Sequence, residues 1–406
     1  MTLVASDQLR LEGHQAPRDR AGLIVHAVVD DKFIDAGFEL FESVAPGRNV
    51  AIGIGKTTRA PRHIAATTVR WIRARDVLAA SSRALFARAE VVVLHSLHPR
   101  VLPLLWSAAR SVPRPRILWV GWGFDFYDLT QVRLLEPMTA TALARSARRD
   151  VGASARRLWR AVRGWVNRRW RLHLIPYVDF FAPPIEEDFV LLARALGARF
   201  KATFANWNYG MIAGALDALP PRRHMEPGSI LVGNSGTPSN NHLDAFRLLA
   251  QAGIGDRDVV VPLSYGPPRY RGMVAAAGRR EFPRQFRPLL EYVSLPEYLE
   301  IIGRCSHVIM NHRRQQGGGN TMWALAGGAR VFINGASSYY AFLRRMGFAV
   351  HAVDELDSTP DLLHTPLSLA DQERNRALAR ETFGRQAAVR RTAALVATLT
   401  QRGKDS

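Results

Sequence analysis

The segment NHRRQQGGGN, residues 311–320, determines the fold we expect, because it joins an apolar strand to an apolar helix. Before it, Ser306 to Met310 (SHVIM) is a short β-branched run, and after it Thr321 to Ala326 (TMWALA) has helical character. A Gly-Gly break and a second strand, Arg330 to Ile333, complete a β-loop-α-β unit. Such units are typical of parallel α/β sheets.

The composition of this loop predicts an anion-binding site. Free backbone N–H groups at a Gly-rich helix entry, together with the positive end of the helix dipole, suit a phosphate or diphosphate. The alternative is that the glycines 317–319 only form a tight turn. Dense polar groups beside them favour the binding site, because function tends to lie on such loops. The loop residues predicted to bind are Arg313, Arg314, Gln315, Gln316, Gly317, Gly318, Gly319 and Asn320.

A second turn of the same kind follows the strand Ser229 to Val232 (SILV) and reads GNSGTPSNN, residues 233–241. A helix is predicted from about His242 to Ala252, with Thr237 as a candidate N-cap and Pro238 at the first helical position. Ligands of open α/β sheets lie beyond the carboxyl ends of the strands, so both turns are expected to converge on one ligand. Contacts to it are predicted for Gly233, Asn234, Ser235, Asn240 and Asn241, with Tyr265 bordering the base.

The length of 406 residues predicts two domains. Short apolar runs separated by helical segments predict parallel sheets covered on both faces; they occupy residues 22–29, 49–54, 90–94, 116–120 and 178–182 in the first half and 258–263 in the second. The Pro-rich segment Asp217 to Gly228 predicts the boundary. The expected domains are 20–216 and 229–370, followed by a C-terminal helical segment, 371–406, with one helix from about Leu369 to Leu399 that crosses back to the first domain.

A single cysteine, Cys305, excludes an internal disulfide framework and favours a reducing compartment. Its place before an apolar strand predicts a buried small residue. Neither a signal peptide nor a spanning helix is indicated by the apolar runs of the sequence.

The formal net charge of +20 is concentrated in one segment, residues 145–171, which carries ten Arg and the single acid Asp150. Tryptophans recur there at helical spacing, so the segment predicts a basic amphipathic helix that binds an anionic membrane surface. The alternatives are a core-packed helix with a solvated basic face, and nonspecific nucleic-acid binding, for which no specific motif is found. Membrane contact is predicted for Arg156, Arg157, Trp159, Arg160, Arg163, Trp165, Arg168, Arg169 and Trp170.

Three motifs together resemble a known family: VGNSGTPSNNH at 232–242, VPLSYG at 261–266 and IMNHRRQQGGGN at 309–320. They are similar to the TDP-N-acetylfucosamine:lipid II N-acetylfucosaminyltransferases of enterobacterial common antigen synthesis. The first half resembles that family less closely, through WVGWGFDFY at 119–127. The resemblance implies an α/β glycosyltransferase of the GT-B class, with two Rossmann-like domains facing across a cleft and the C-terminal one holding the donor.

The resemblance also implies the substrates. The donor would be a TDP-activated 4-acetamido-4,6-dideoxyhexose and the acceptor an undecaprenyl-diphosphate-linked saccharide, which places the enzyme peripherally on the cytoplasmic face of the bacterial inner membrane. The alternatives are another nucleotide sugar on the same fold, or a non-catalytic protein that binds a nucleotide sugar or a polyanion.

Catalysis without a metal or another cofactor is expected, because Arg side chains and a helix N-terminus can neutralise the leaving diphosphate. A general base is sought at the carboxyl end of an N-terminal strand. Asp125, in the loop after residues 116–120, is the first candidate, and a loop-capping carboxylate is the alternative interpretation. His312 and Asp128 are the other candidates. His95 and His98 have no neighbouring cysteine or carboxylate in sequence, so no metal site is predicted there.

Overall fold

A computed structural model of the chain describes residues 22–55, 61, 63–64, 69–148, 154–210, 213–218 and 225–401. The N-terminal domain is built on a seven-stranded sheet with all neighbouring strands parallel. Its strands are β1 (Leu23–Val28), β2 (Asn49–Ile54), β3 (Val69–Ile72), β4 (Ala89–His95), β5 (Arg116–Val120), β6 (Phe180–Ala182) and β7 (Thr203–Phe204), in the order β3-β2-β1-β4-β5-β6-β7. The helices of this half are α1 (Ile34–Val44), α2 (Ala80–Arg88), α3 (Leu102–Ala108), α4 (Pro137–Arg148), α5 (Ser154–Leu174) and α6 (Glu186–Leu196).

The C-terminal domain follows the short helix α7 (Ala213–Ala218) and has a six-stranded parallel sheet. Its strands are β8 (Ser229–Val232), β9 (Val259–Pro262), β10 (Phe286–Leu289), β11 (Cys305–Met310), β12 (Arg330–Ile333) and β13 (His351–Ala352), in the order β10-β9-β8-β11-β12-β13. The helices are α8 (His242–Ala252), α9 (Pro268–Glu281), α10 (Leu295–Arg304), α11 (Gly318–Ala326), α12 (Ser338–Arg345), α13 (Glu355–Ser358), α14 (Leu369–Phe383) and α15 (Arg385–Thr400).

Both sheets are covered on their two faces, as the continuous apolar strands predict. In β4, Val92 and Leu94 pack into one apolar cluster and Val91 and Val93 into another. Alternate side chains of a strand point to opposite faces, so each cluster is the core on one side of the sheet. Cys305 is fully buried, as predicted.

The strand order reverses between β8 and β11 in the C-terminal sheet and between β1 and β4 in the N-terminal sheet. Ligands of parallel sheets bind at such switch points, beyond the carboxyl ends of the strands. The two turns identified in the sequence follow β8 and β11, so they lie side by side at the switch point of the second domain.

The last predicted helix is two helices, because the chain is extended at Gly384 (φ −66°, ψ 167°). Helix α14 stays with the C-terminal domain, where Ala379 joins its core. Helix α15 returns to the N-terminal domain, where Leu395, Val396 and Leu399 complete an apolar cluster. The helix entry at Thr237 also differs from expectation: Pro238–Asn240 is a 3-10 turn, and α8 begins after Asn241.

Candidate active site in the interdomain cleft

A cavity of about 300 Å³ lies between the two domains, at the carboxyl ends of both sheets. One wall follows β11 and consists of residues 314–319, from Arg314 to Gly319. The opposite wall comes from segments after β1, β5, β6 and β7, and includes Phe33, Trp122, Trp207 and Tyr209. A polar loop thus faces an aromatic surface across the cleft.

The Gly-rich loop presents the N-terminus of α11 to this cavity. Gly317 is the N-cap and has a left-handed backbone (φ +66°), and a Cβ there would lie 3.2 Å from Cγ of Asn234. Gly318 and Gly319 follow as the first helical residues and also line the cavity. Because the first N–H groups of a helix lack intrahelical partners, this entry can accept an anion, as the sequence predicts.

Arg314 is the cation of this wall. Its Nε donates to Oε1 of Gln316 at 3.0 Å, and its guanidinium lies 5.8 Å from the ring centroid of Tyr127 in the N-terminal domain. Burial lowers the pKa of Arg314, but a guanidinium keeps its charge in proteins. A fixed positive charge in a partly dry cleft is suited to neutralise a leaving diphosphate.

Arg313 has a different position from its neighbour. Its Nη1 lies 3.3 Å from Oε1 of Glu136, just before α4, and it is absent from the cavity wall. The same Glu136 oxygen accepts from Nδ2 of Asn334 at 2.8 Å. Of the two arginines predicted to bind the donor, Arg314 lines the cavity, whereas Arg313 forms an ion pair between the two halves of the chain.

Gln316 joins the two predicted turns. Its Nε2 donates to Oδ1 of Asn234 at 3.1 Å, and its Oε1 accepts from Oγ of Ser239 at 2.6 Å. Tyr265 is half exposed and donates from Oη to the carbonyl of Asn234 at 3.2 Å. The predicted convergence of the two turns is confirmed by these contacts. Binding of a donor there stays a prediction.

Three residues of the second turn are buried, and their side chains form hydrogen bonds to other groups of the protein. Asn240 donates to Thr237 Oγ1 at 2.8 Å and accepts from Asn234 N at 2.8 Å, and Ser235 bonds to Thr237 and Asn240. Asn241 donates to the carbonyls of Leu134 and Asn311. Their side chains are 0–1% exposed. These bonds shape the turn and engage the side chains of Ser235, Asn240 and Asn241 within the protein, so direct contact of these residues with a donor stays a prediction.

Gly233 is required by the same packing. Its φ is +70°, and a Cβ there would lie 2.6 Å from Oδ1 of Asn240 and 2.8 Å from Nε2 of His242. The glycine thus lets the backbone approach the turn closely. Asn320, within the first turn of α11, is partly buried.

His312 is a hydrogen-bond donor in this structure. Its Nε2 lies 2.8 Å from Oδ1 of Asn240 and 3.1 Å from Oδ1 of Asn234. Because the amide nitrogen of Asn240 is donating elsewhere, the oxygen must accept, and Nε2 of His312 carries the proton. Burial, with the neighbouring charge of Arg314, lowers the pKa of His312 to about 3. This geometry favours a neutral positioning residue over the predicted catalytic base.

Asp125 caps its own loop. Its Oδ2 accepts from Leu97 N and Trp119 Nε1, and its Oδ1 from Trp122 N, each at 2.8 Å. The side chain is 1% exposed, and burial raises its pKa against the lowering effect of these donors. The structure favours the loop-capping interpretation of Asp125. Asp128 is also engaged, in an ion pair with Arg171 of α5.

A polar network that sequence analysis missed closes the cleft between the domains. Asp188, in the first turn of α6, accepts from Tyr127 Oη at 2.5 Å and from Ser338 Oγ at 2.7 Å. Tyr127 in turn accepts from the backbone N–H of Gln315 at 2.9 Å. Burial raises the pKa of Asp188 to about 7. Asp188 gave no sequence signal, since three acids at a helix start usually serve the helix dipole.

The basic tryptophan segment forms α5, with an exposed apolar face. Its large apolar side chains are 48–67% exposed and repeat at helical spacing: Leu158, Trp159, Val162, Trp165 and Val166. Arg163 and Arg169 lie over the rings of Trp159 and Trp165, and Arg168 is exposed. Trp170 instead packs against the N-terminal core. The side chains of Arg156, Arg157 and Arg160 lie outside the described residues. No helix within the described ranges is long and apolar enough to cross a membrane.

Part of the chain matches a known protein family. Residues 212–359 match the family described as 4-alpha-L-fucosyltransferase, glycosyl transferase group 56. This match confirms the resemblance that the motifs predicted. The chain is a nucleotide-sugar-dependent glycosyltransferase.

Solved structures of low sequence identity share the fold. HepE from Anabaena, in complex with UDP, is 10% identical with a TM-score of 0.60 over 94% of this chain and 100% of that chain. An alpha,alpha-trehalose-phosphate synthase (UDP-forming) from Burkholderia vietnamiensis is 10% identical, with a TM-score of 0.58 over 94% of this chain and 100% of that chain. A glycosyltransferase from Rickettsia africae is 10% identical, with a TM-score of 0.58 over 94% of this chain and 99% of that chain. The predicted GT-B fold is confirmed.

Proposed function

We propose that this glycosyltransferase moves a 4-acetamido-4,6-dideoxyhexose from TDP to an undecaprenyl-diphosphate-linked saccharide, without a metal ion. One observation carries the donor half of the proposal: Arg314 and the N-terminus of α11 lie together on the polar wall of the interdomain cavity. A diphosphate needs such neutralisation as its bond to the sugar breaks. The motif resemblance supplies the identity of the nucleotide and the sugar.

The opposite wall supports a deoxysugar. Phe33, Trp122, Trp207 and Tyr209 form a contiguous set, with ring centroids 5.0–5.8 Å apart between neighbours. Met322, Tyr339 and Phe383 add apolar surface from the C-terminal half. A 6-deoxy sugar presents a methyl group where a common hexose presents a hydroxymethyl group, and an apolar surface favours the methyl.

Helix α5 supports the lipid-linked acceptor. Its exposed face ends near Arg171, which donates to the carbonyl of Asp125 at 2.6 Å in the loop that borders the cavity. At 1.5 Å per residue, Trp165 lies about 9 Å and Trp159 about 18 Å along the helix from that anchor. An amphipathic helix so close to the cleft would hold the enzyme on an anionic membrane surface, where a diphosphate-linked saccharide is presented. We place the enzyme peripherally on the cytoplasmic face of the inner membrane.

The proposal is tested first by thermal stabilisation with dTDP, UDP, GDP and ADP, each with magnesium and with EDTA. A ligand at about a hundred times its Kd adds roughly 2.7 kcal/mol, which moves the midpoint by several degrees. We expect a shift with dTDP that magnesium does not change. Transfer from dTDP-4-acetamido-4,6-dideoxygalactose to a short-chain prenyl-diphosphate disaccharide then tests the reaction.

Each other outcome corrects a specific part of the proposal. A shift with UDP or GDP alone would change the donor, and a shift that requires magnesium would overturn metal independence. Binding of dTDP without transfer would favour a non-catalytic binding protein. Strong salt-dependent binding to DNA, with no nucleotide shift, would favour a polyanion-binding protein.

A further inference from the structure

A chain of hydrogen bonds runs from the interior of the N-terminal sheet to the interdomain cavity. His26 on β1 and His95 at the end of β4 are bonded through Nδ1 and Nε2 at 2.9 Å. His95 Nδ1 lies 2.8 Å from Oη of Tyr209, and Trp122 Nε1 donates to that oxygen at 2.6 Å. Tyr209 and Trp122 line the cavity.

The direction of this chain is set at its inner end by Asn49. Its Nδ2 donates to Glu42 Oε2 at 2.8 Å and to Ala45 O at 2.7 Å, so its Oδ1 is the acceptor for His26 Nε2 at 3.1 Å. His26 therefore carries its proton on Nε2 and accepts at Nδ1. It follows that His95 carries its proton on Nε2 and accepts at Nδ1 from the Tyr209 hydroxyl. Every member of the chain is satisfied with both imidazoles neutral.

The surroundings keep both imidazoles neutral at rest. His26 and His95 are completely buried. Burial lowers the pKa of His26 to about 4, and burial and the neighbouring His26 lower that of His95 well below its usual value. The facing charges are few: Glu42 of α1 acts on His26, while Asp31 and Asp125 act on Tyr209. Helix α15 contributes apolar side chains to the neighbouring core, namely Leu395, Val396 and Leu399.

We propose that Tyr209, His95 and His26 form a proton relay that receives the proton of the acceptor hydroxyl during transfer. The inference rests on the proposed function. None of the described residues that line the cavity is Asp, Glu or His, so Asp125 and His312 are not part of its wall. Tyr209 is thus the polar group of the N-terminal wall with a path to a basic nitrogen.

The acceptor oxygen bonds to C1 of the donor sugar, and the bond from C1 to the diphosphate oxygen breaks, with the electron pair leaving on the diphosphate beside Arg314. The acceptor proton moves to Oη of Tyr209 while the phenolic proton moves to Nδ1 of His95. The Nε2 proton of His95 then passes to Nδ1 of His26. The product state has one imidazolium, which Glu42 stabilises through space.

The test uses Tyr209→Phe and His95→Gln in the full chain, with dTDP-4-acetamido-4,6-dideoxygalactose and the short-chain disaccharide acceptor. Phenylalanine removes the hydroxyl. Glutamine can accept from Tyr209 and donate to His26, so it keeps the hydrogen bonds and cannot take a proton. We expect each variant to keep the dTDP thermal shift and the KM for donor, and to lose about 10²-fold or more in kcat. The double variant should lose little more than either alone, because the residues act as a unit.

His307→Gln is the matched control. His307 is also fully buried, its pKa is lowered to about 3, and it bonds to the carbonyls of Leu362 and Thr365 away from the cavity. Its variant should retain the kcat of the unmodified enzyme. A kcat of Tyr209→Phe or His95→Gln within about threefold of the control would overturn the relay.

Single-turnover transfer by the unmodified enzyme in mixtures of H2O and D2O keeps the test decisive if a variant fails to fold. Because the acceptor proton and the phenolic proton move together, the relay predicts a normal isotope effect with a curved dependence on deuterium fraction. A linear dependence, or no effect on the chemical step, would contradict it. If the unmodified enzyme transfers no sugar from a dTDP, UDP, GDP or ADP donor, that result contradicts the proposed function instead. The two failures are therefore distinguishable.

Discussion

The phenolic oxygen of Tyr127 accepts a hydrogen bond from the backbone N–H of Gln315, with the two atoms 2.9 Å apart. This bond ties the loop after β5 in one domain to the Gly-rich loop after β11 in the other. Tyr127 donates to Asp188, which also accepts from Ser338. The position of Arg314 in the cleft therefore depends on residues from both domains.

Asp188→Asn is expected to change the pH dependence of stability. Burial raises the pKa of Asp188 from 3.8 to about 7 in the folded protein. Between about pH 4 and pH 7 the folded state therefore holds a proton that the unfolded state releases. The resulting contribution to the free energy of unfolding is complete below about pH 4 and is lost as pH rises through 7. At full effect it is on the order of 4 kcal/mol. In urea unfolding at pH 4.5, 6 and 8, the variant should lose less stability with rising pH than the unmodified protein. Parallel curves would refute this account.

Arg314→Ala should weaken dTDP binding by about 10- to 100-fold, because a hydrogen bond to a charged group contributes roughly 1.5–3 kcal/mol. Arg313→Ala is the control, since that side chain pairs with Glu136 outside the cavity wall. Its dTDP affinity should stay within about threefold, since truncations outside a binding site are near-neutral for affinity. Isothermal titration of both variants measures the difference. Equal losses of dTDP affinity in the two variants would indicate that both arginines bind the donor.

Gly317→Ala should strain the helix entry, because φ is +66° and the new methyl would lie 3.2 Å from Cγ of Asn234. A left-handed non-glycine residue costs roughly 1–2 kcal/mol, and the displaced loop should also lose dTDP affinity. Gly272→Ala is the matched control, because Gly272 lies in α9 with open space around it. That change should raise stability slightly. Thermal unfolding with and without dTDP measures both effects, and an undisturbed Gly317→Ala protein would argue against the close fit of the two turns.

Asp125→Asn should destabilise the protein because one carboxylate oxygen that accepts hydrogen bonds becomes an amide group. Three donors converge on this side chain, and an unsatisfied buried group costs about 1–3 kcal/mol. We expect a lower Tm, with the protein that remains folded at low temperature still active. A normal Tm with transfer abolished would instead restore Asp125 as the general base.

Replacing Trp159 and Trp165 of α5 by serine should reduce cosedimentation with anionic liposomes at least tenfold, because both exposed rings lose apolar burial in the interface. Transfer to the water-soluble short-chain acceptor should be unchanged. Tyr292→Ser is the control, since Tyr292 is an even more exposed aromatic residue in another part of the surface. Undiminished liposome binding by the double variant would refute the membrane role of α5.

The residues that sequence analysis assigned to the site divide by what their side chains contact. The Gly-rich loop was predicted as an anion-binding helix entry from its own residues, and Arg314 to Gly319 line the cleft. Arg313 and Arg314 are adjacent in sequence and chemically identical, yet they face different partners. Asp188 and His95 gave no usable signal, because their roles come from partners far away in the chain.

The sequence by itself determined the parallel α/β class, the central strands, the helix 242–252 and the two turns of the C-terminal domain. The strands that it did not reveal are β3, β7, β10 and β13, which are the edges of the two sheets. Central strands are buried on both faces and need continuous apolar runs, whereas edge strands bury less and carry a weaker pattern. Tertiary structure alone decided which polar groups are free to meet a ligand, because that depends on partners supplied across the cleft and from neighbouring strands.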